Sequence, residues 1–274
     1  MTLATKGPAA MPGPFLWPPI MGILNVTPDS FSDGGRFVET SQAVAAGLQM
    51  VADGAGLIDV GGESTRPGAA EISPAEEQAR IISVIRGLAG VVTISVDTRH
   101  ASTMAAALDA GATVVNDVSG LTHDPDAAAL VAARGCPVIL MHMRGTPATM
   151  ASFAHYDDLV EDVLRELAAR VDRAVAAGID QRRIAIDPGV GFAKTADQNV
   201  LLLRHLNRLT TLGHPIVAGV SRKRFLTALS GAERSVSASV AAALAAWEQG
   251  ARTLRVHDVA ETAQALKVWQ ALHG

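Results

Sequence analysis

The sequence lacks the usual features of secreted, membrane-spanning and nucleic-acid-binding proteins. Its 274 residues include one cysteine, Cys136, which excludes an internal disulfide and suits the reducing cytoplasm. The formal charge of −4 offers no basic field for nucleic acid or for an acidic membrane surface. The longest apolar run covers residues 240–247, far short of the about 20 residues that span a bilayer. We therefore expect a cytoplasmic protein that has neither nucleic acid nor a membrane as a partner.

Most short motifs that indicate a particular chemistry are also missing. The sequence has no GxSxG turn for a serine nucleophile, no Walker loop and no GxGxxG fingerprint. Neither an HxxH or HExxH pattern nor a pair of cysteines points to zinc. Aromatic residues make up only 4% of the chain, so the aromatic platforms on which glycosidases hold sugars are not expected.

What the sequence does contain is a repeated pattern of short apolar runs that each end on a polar residue. Helix-like stretches separate eight such runs, and the length suits a single α/β barrel. A doubly wound open sheet would gather its chemistry at one switch point, whereas here every run ends in a polar group. We therefore predict one (β/α)8 TIM barrel with its site on the C-terminal face. The polar residues that end the runs include Asn25, Glu63, Asp97, Asn116, His142, Asp187, Lys223 and His257.

Composition also suggests where the barrel begins and which connections are unusual. Residues 1–19 are rich in proline and have no apolar core segment, so we predict a flexible leader before a barrel of residues 20–274. Residues 26–38 and 61–72 are long, polar and glycine-rich for strand-to-helix connections. We expect both to be mobile active-site loops. Eight helical patterns are predicted, one after each strand, and the seventh lies near residues 234–249.

The end of the eighth run places two basic side chains together. Arg255 and His257 are two residues apart, so both point to the same side of a strand at the mouth of the barrel. No acid is an immediate neighbour on that side, and a buried cation is costly unless a negative charge completes it. We expect a bound anion there. A structural ion pair of Arg255 with Asp258 or with another carboxylate is the alternative.

Four further polar residues end other runs and point to the centre of the predicted barrel. Asp97, Asn116, Asp187 and Lys223 supply acceptors, an amide and a cationic donor. Such a set suits a flat, nitrogen-rich heterocycle with donors and acceptors around its edge. Two carboxylates would also suit a glycosidase, but the shortage of aromatic residues argues against sugars. The glycine-rich turn of residues 187–194, with Phe192, is either a weak phosphate loop or the wall of an aromatic subsite.

Metal-binding and structural roles remain open for several residues. Asn25, Asp29 and Asp33 offer hard oxygen ligands that suit Mg2+ bridging phosphate oxygens. His142 follows a strand directly, and a functional and a structural role are equally compatible with that position. Cys136 begins a strand, where a small buried thiol is the ordinary interpretation.

Eight polar or glycine-rich segments follow one another along the chain, at residues 25–35, 59–68, 95–98, 116–120, 141–143, 187–192, 221–223 and 255–258. In this order they resemble dihydropteroate synthase, and the likeness covers residues 20–272. A match of all eight segments in sequence is highly specific, although any single one would not be. Two departures are visible: Ala193 replaces a glycine of many relatives, and Arg224 replaces a serine.

The resemblance implies a transferase of folate biosynthesis. Para-aminobenzoate would displace diphosphate from 6-hydroxymethyl-7,8-dihydropterin diphosphate, without a covalent enzyme intermediate, to give 7,8-dihydropteroate. The family pattern implies that Arg66, Lys223, Arg255 and His257 are catalytic. The pterin diphosphate would contact Asn25, Thr65, Asp97, Asn116, Asp187, Lys223, Arg255 and His257, with Arg255 stacked on the ring and Mg2+ beside Asn25. The aminobenzoate would contact Thr65, Arg66, Pro67, Phe192 and Ser221.

The resemblance further implies inhibition by sulfonamides and a homodimer. The C-terminal helices with Trp247 and Trp269 are candidates for its interface, although core packing explains both tryptophans equally well. Two rival hypotheses use the same fold: a pterin-binding module that performs no condensation, and an inactive copy that regulates or scaffolds. The two long anion-suited loops favour the enzyme.

Overall fold

The computed structural model describes residues 14–27, 36–65 and 68–273, with the side chains of residues 36–39 left aside. Eight parallel strands close into a barrel in sequence order, and the last strand pairs with the first. This confirms the predicted (β/α)8 architecture. The strands are β1 (Ile20–Asn25), β2 (Leu57–Gly61), β3 (Thr93–Asp97), β4 (Val114–Asp117), β5 (Val138–Met141), β6 (Ile184–Asp187), β7 (Ile216–Ala218) and β8 (Ala251–Val256).

Helices follow the strands and cover the outside of the barrel. Among the described residues two helices, not one, lie between β7 and β8, and the first of them begins directly after Lys223. Seven residues are too few for an amphipathic period to show, so the sequence pattern predicted only the second. The helices are α1 (Arg36–Ala52), α2 (Pro74–Leu88), α3 (Ala101–Ala110), α4 (Ala127–Arg134), α5 (Leu159–Ala176), α6 (Ala196–Arg204), α7 (Arg224–Ser230), α8 (Val236–Glu248) and α9 (Val259–His273).

Local signals explain why several helices begin and end where they do. Ser73 precedes α2, and its hydroxyl accepts a hydrogen bond from Glu76 N at 3.2 Å. Thr195 and Gln198 form a reciprocal capping box at the start of α6. No described helix is both long enough and apolar enough to cross a membrane.

The barrel interior begins with an apolar layer that the N-terminal segment covers. Phe15 and Trp17 pack against this layer, and their rings meet edge to face at 4.7 Å. Thr253 Oγ1 donates to Pro18 O at 2.8 Å and ties the segment to β8. Residues 14–19 of the predicted leader are therefore part of the packed structure, because two aromatic side chains there have an apolar surface to cover. The layer consists of Met21, Leu57, Val114, Ile139, Ala185 and Val217, all fully buried.

Candidate active site

A polar layer lies directly above the apolar layer inside the barrel. Asp59 is two residues after Leu57, and Asp187 is two residues after Ala185. Because strand side chains alternate between the two faces, both pairs point into the barrel. The same alternation places Asn116 above Val114. The layer therefore contains Asp59, Asp97, Asn116, Asp187 and Arg255, of which the four acid and amide side chains are buried.

Arg255 is the centre of this layer and has two carboxylate partners. Its Nε donates to Asp59 Oδ2 at 2.6 Å, and its Nη2 donates to Asp97 Oδ2 at 2.7 Å. Asn116 Nδ2 donates to the same Asp59 oxygen at 3.0 Å. Arg255 therefore forms the structural ion pair that was the alternative interpretation, with carboxylates from β2 and β3 and not with immediate neighbours on β8.

The alternative partner considered for Arg255 has a different role. Asp258 forms an ion pair with Arg222, whose Nε lies 3.2 Å from Asp258 Oδ2. Arg222 has a positive φ of 56°, and its backbone N–H donates to Ser239 Oγ at 3.0 Å. This pair lies beside the site and holds the turn after β7, so Arg255 remains with Asp59 and Asp97.

Asp59 was not predicted as a site residue, although one signal was present. It is the only charge in β2, and only 1% of it is exposed. A charge within an apolar strand run needs a partner, which here is Arg255. Its second oxygen, Oδ1, is buried without a hydrogen-bond partner in the described part of the chain. That oxygen is a buried acceptor with a hydrogen bond still to make.

Burial shifts the pKa values of titratable side chains in this layer and of Lys223 beside it. It raises the pKa of Asp97 to about 7, against the opposing effect of Arg255 and with the help of the Asp59 charge. Burial also raises the pKa of Asp187, although Gly189 N donates to its Oδ1 at 2.7 Å. The pKa of Lys223 falls to about 8, mainly through burial and then through Arg255.

Lys223 and Phe192, predicted for two different substrates, are neighbours. Lys223 Nζ lies 4.3 Å from the centre of the Phe192 ring. Gly191 makes this approach possible, because its φ is +83° and a Cβ there would lie 3.1 Å from Lys223 Cδ. The structure thus brings the predicted pterin contact and the predicted aminobenzoate wall to one place.

Ser221 and His257 form a second pair at the mouth. Ser221 Oγ lies 3.0 Å from His257 Nδ1, and His257 N donates to the same hydroxyl at 3.2 Å. Burial, followed by the charges of Arg255 and Arg222, lowers the pKa of His257 to about 3. His257 is therefore neutral at physiological pH, and it offers an N–H donor rather than a positive charge.

The remaining predicted residues lie on the rim or outside the described residues. Asn25 ends β1 next to Gly61 and is half-buried, as is Thr65. Arg224 begins α7 as an exposed residue. Arg66, Pro67, Asp29 and Asp33 lie outside the described residues, as do parts of both predicted mobile loops.

His142 has a structural position, outside the polar layer and fully buried. Its Nε2 lies 3.0 Å from Glu166 Oε2 on α5, and its Nδ1 lies 3.0 Å from Lys194 Nζ. A carboxylate only accepts and an ammonium only donates, so the ring proton lies on Nε2. Burial and the Lys194 charge lower the pKa of His142 to about 3.

Lys194 was missed by the sequence interpretation and supports the turn that carries Phe192. Its Nζ donates to Gly189 O and to Phe192 O, both at 3.0 Å, in addition to its contact with His142. The signal was a lysine at the end of a glycine-rich turn, which is not specific. Ala193, the departure from the family pattern, takes a positive φ of 49° there, and Tyr156 Oη donates to its carbonyl at 2.9 Å.

A family model described as a pterin-binding enzyme matches residues 21–257. A dihydropteroate synthase of Mycobacterium leprae is 48% identical over 260 residues, which are 91% of each chain. The chain belongs to the dihydropteroate synthase family. Among solved members, the Xanthomonas albilineans enzyme with 4-aminobenzoic acid is 50% identical with a TM-score of 0.89, covering 94% of both chains.

Two further structures of the family contain other ligands. The Xanthomonas albilineans enzyme in complex with 7,8-dihydropteroate is 48% identical, with a TM-score of 0.85 over 94% of both chains. A Yersinia pestis dihydropteroate synthase with a sulfonamide drug complex is 44% identical, with a TM-score of 0.88 over 94% of both chains. The family and the barrel fold predicted from the sequence are thereby confirmed.

Proposed function

We propose that this barrel condenses 6-hydroxymethyl-7,8-dihydropterin diphosphate with para-aminobenzoate, giving 7,8-dihydropteroate and diphosphate. Family membership supports this reaction for the chain. The observation that carries it in the structure is the polar layer around Arg255, with Lys223 and Phe192 in contact above it. That arrangement offers a heterocycle pocket directly beside an aromatic wall.

The polar layer suits the pterin ring. Asp59 Oδ1 and the carboxylates of Asp97 and Asp187 can accept hydrogen bonds from ring N–H and amino groups. Asn116 has both a donor and an acceptor. The two carboxylates fix the guanidinium plane of Arg255, which allows it to stack on a flat ring. Lys223 supplies a cationic donor at the upper edge of the pocket.

The diphosphate group would leave at the rim. Neutral His257 can donate an N–H to a phosphate oxygen, and Arg255 spreads the negative charge that develops on departure. Asn25 offers one half-buried amide oxygen, which fits a Mg2+ ion that keeps most of its waters. When bound, Mg2+ neutralises charge on the leaving diphosphate. A metal held by one side-chain oxygen alone would arrive with the substrate.

The aminobenzoate would enter above the pterin methylene. Phe192 and Ser221 would form one side of this subsite, and Thr65, Arg66 and Pro67 of the loop after β2 would form the other. The electron-rich dihydropterin supports positive charge at its methylene carbon, so diphosphate can leave before the amine adds. Closure of the loops over residues 26–38 and 61–72 would exclude water. No covalent enzyme intermediate is needed, and sulfonamides would compete for the aminobenzoate subsite.

We also propose that the protein is a homodimer and that it is located in the cytoplasm. An apolar cavity of about 480 Å3 lies between α6, α7 and α8, and Leu229 at its edge is 65% exposed. A second copy of the chain could cover this surface. By comparison, Trp247 packs against the core, and Trp269 stacks on His273 at 4.2 Å. The α6–α8 surface is therefore a better candidate interface than the tryptophans.

The decisive experiment measures diphosphate release from the dihydropterin diphosphate with Mg2+, with and without para-aminobenzoate. We expect release to depend strongly on aminobenzoate in the wild type. In Lys223→Ala we expect kcat/KM to fall about 100-fold or more, because a cation that contacts the pterin pocket is lost. Tight pterin binding without release in the wild type would instead favour a pterin-binding module or an inactive copy.

A further inference from the structure

Three side chains with metal-binding atoms converge where the loop after β2 meets the ends of β3 and β4. Glu71 Oε1 lies 3.4 Å from His123 Nε2 and 3.8 Å from His100 Nε2. The three ligand atoms lie within 4.8 Å of one another. Ligand atoms about 2.0–2.2 Å from a tetrahedral zinc ion lie about 3.4 Å apart. The Glu71–His123 pair already has this spacing, and the other two pairs would have to close by at most about 1.4 Å.

A carboxylate behind His100 sets its orientation. His100 Nδ1 lies 3.2 Å from Glu77 Oε2, which also accepts from Thr98 Oγ1 at 2.7 Å, and Glu77 is fully buried. Because this carboxylate accepts, the proton of the imidazole lies on Nδ1. The lone pair of Nε2 then faces Glu71. Metal-binding histidines commonly have such a carboxylate behind them, which fixes the ring and raises its basicity.

The charges around the three side chains favour a cation. Arg99 is the nearest cation, and Glu63 already offsets its charge through contacts of 3.1 Å to Nε and 3.0 Å to Nη2. Glu71 and Glu77 add two more carboxylates. Arg99 Nη2 also lies 3.3 Å from Glu71 Oε1, and its Nη1 lies 3.5 Å from His123 Nδ1. The last distance is at the limit of a hydrogen bond, so His123 loses little when it turns toward an ion.

We propose that Glu71, His100 and His123 bind a divalent cation of the zinc class, which joins the loop after β2 to the β3–α3 and β4–α4 connections. Two imidazole nitrogens and one carboxylate oxygen are a ligand set that zinc accepts, with water in the fourth position. Side-chain exposures of 58% for Glu71 and 29% for His123 give the ion a path from solvent. The three residues come from three connections, so no sequence motif could indicate the site.

The site has a consequence that rests on the proposed function. Glu71 belongs to the same loop as Thr65, Arg66 and Pro67, which are assigned to the aminobenzoate subsite. A bound ion would hold the base of that loop against the barrel. The binding of the ion itself needs no substrate, so it can be measured whether or not the proposed reaction is correct.

The test is a titration of metal-free full-length protein with Co2+ in excess Mg2+, followed by displacement with Zn2+. We expect one tetrahedral Co2+ per chain, visible by its intense absorption bands, which Zn2+ removes. Glu71→Gln and His123→Gln should each weaken Co2+ binding at least about 10-fold, since loss of even an indirect partner of a metal ligand costs that much. Zn2+ should raise the thermal midpoint of the wild type and not that of Glu71→Gln.

Matched variants separate this site from general surface binding. Glu76→Gln removes an exposed carboxylate at the start of α2, and His205→Gln removes an exposed imidazole after α6. Both should bind Co2+ like the wild type. Equal Co2+ affinity in the wild type, Glu71→Gln and His123→Gln, or only octahedral Co2+ in the wild type, would overturn the proposal.

Discussion

Two networks of buried charge lie at the C-terminal ends of the strands, and they differ in how completely their hydrogen bonds are made. The Arg255 network is inside the barrel, where Asp59 Oδ1 remains without a partner among the described residues. The Lys194 network lies between the ends of β5 and β6 and helix α5. There Lys194 Nζ has three partners, which are His142 Nδ1, Gly189 O and Phe192 O.

The comparison distinguishes the Arg255 network, which is suited to ligand binding, from the Lys194 network, which is structural. An ammonium has three N–H donors, so Lys194 has nothing left to offer a ligand, and its role is to hold the turn that carries Phe192. The Arg255 network keeps an acceptor, Asp59 Oδ1, that has no hydrogen-bond partner among the described residues. A buried polar group with a hydrogen bond still to make is costly without a ligand, and a ligand can remove that cost.

The largest effect is expected from Arg255→Ala. This change leaves the buried carboxylates of Asp59 and Asp97 without their cation and removes the proposed contact to the diphosphate. We expect kcat/KM to fall at least about 1000-fold and the free energy of unfolding to fall by about 3 kcal/mol, which denaturant unfolding would measure. Arg252→Ala, an exposed position on the same strand, is the control and should change neither quantity.

A smaller and more selective effect is expected from Lys194→Met. The substitution removes three hydrogen bonds behind the turn, so the free energy of unfolding should fall by about 1–3 kcal/mol. Because the turn carries Phe192, KM for aminobenzoate should rise about 10-fold, while pterin affinity measured by calorimetry stays within about 2-fold. Lys267→Met on α9 is exposed and serves as the control. If pterin affinity fell as much as aminobenzoate affinity, Lys194 would also support the pterin pocket. The Lys194 network would then not be specific to the turn that carries Phe192.

The sequence predicted the residues whose position follows from one strand alone. Asp97, Asn116 and Asp187 each end an apolar run, and alternation along that run is enough to point them inward. His257 was found in the same way, whereas Lys223 lies beyond the end of β7 and directly before α7, so alternation alone does not position it. The predicted barrel follows from the same repeated pattern, since closure is the only way to give every strand end access to one site.

What the sequence could not provide were the contacts made across the closed barrel. Arg255 pairs with Asp59 although β1 separates their strands, so inspection of neighbours along β8 found no acid. Lys194 reaches His142 over a separation of 52 residues. Glu71, His100 and His123 are likewise brought together only by the packing of three connections. Pair spacing in sequence carries no information on such contacts.

The smallest effect concerns pH, and it compares His257, which lies beside the Arg255 network, with His142 of the Lys194 network. The pKa values of His257 and His142 are both lowered to about 3, chiefly by burial, from an ordinary value of 6.5. Between these values each histidine binds more protons in the unfolded chain than in the folded protein, so its contribution to the free energy of unfolding decreases as pH falls below about 6.5. The raised pKa of Asp97 acts in the opposite direction over the same range, so the test compares each variant with the wild type. Each histidine contributes at most about 1.4 kcal/mol per pH unit.

We expect His257→Asn and His142→Asn to flatten the dependence of the free energy of unfolding on pH by similar amounts. Urea unfolding from pH 7 to pH 4 would measure this dependence. Diphosphate release should slow in His257→Asn and not in His142→Asn, because His257 is the histidine proposed to donate to a phosphate oxygen. A flattened pH dependence together with equal loss of release in both variants would show that His142 also acts on the substrate.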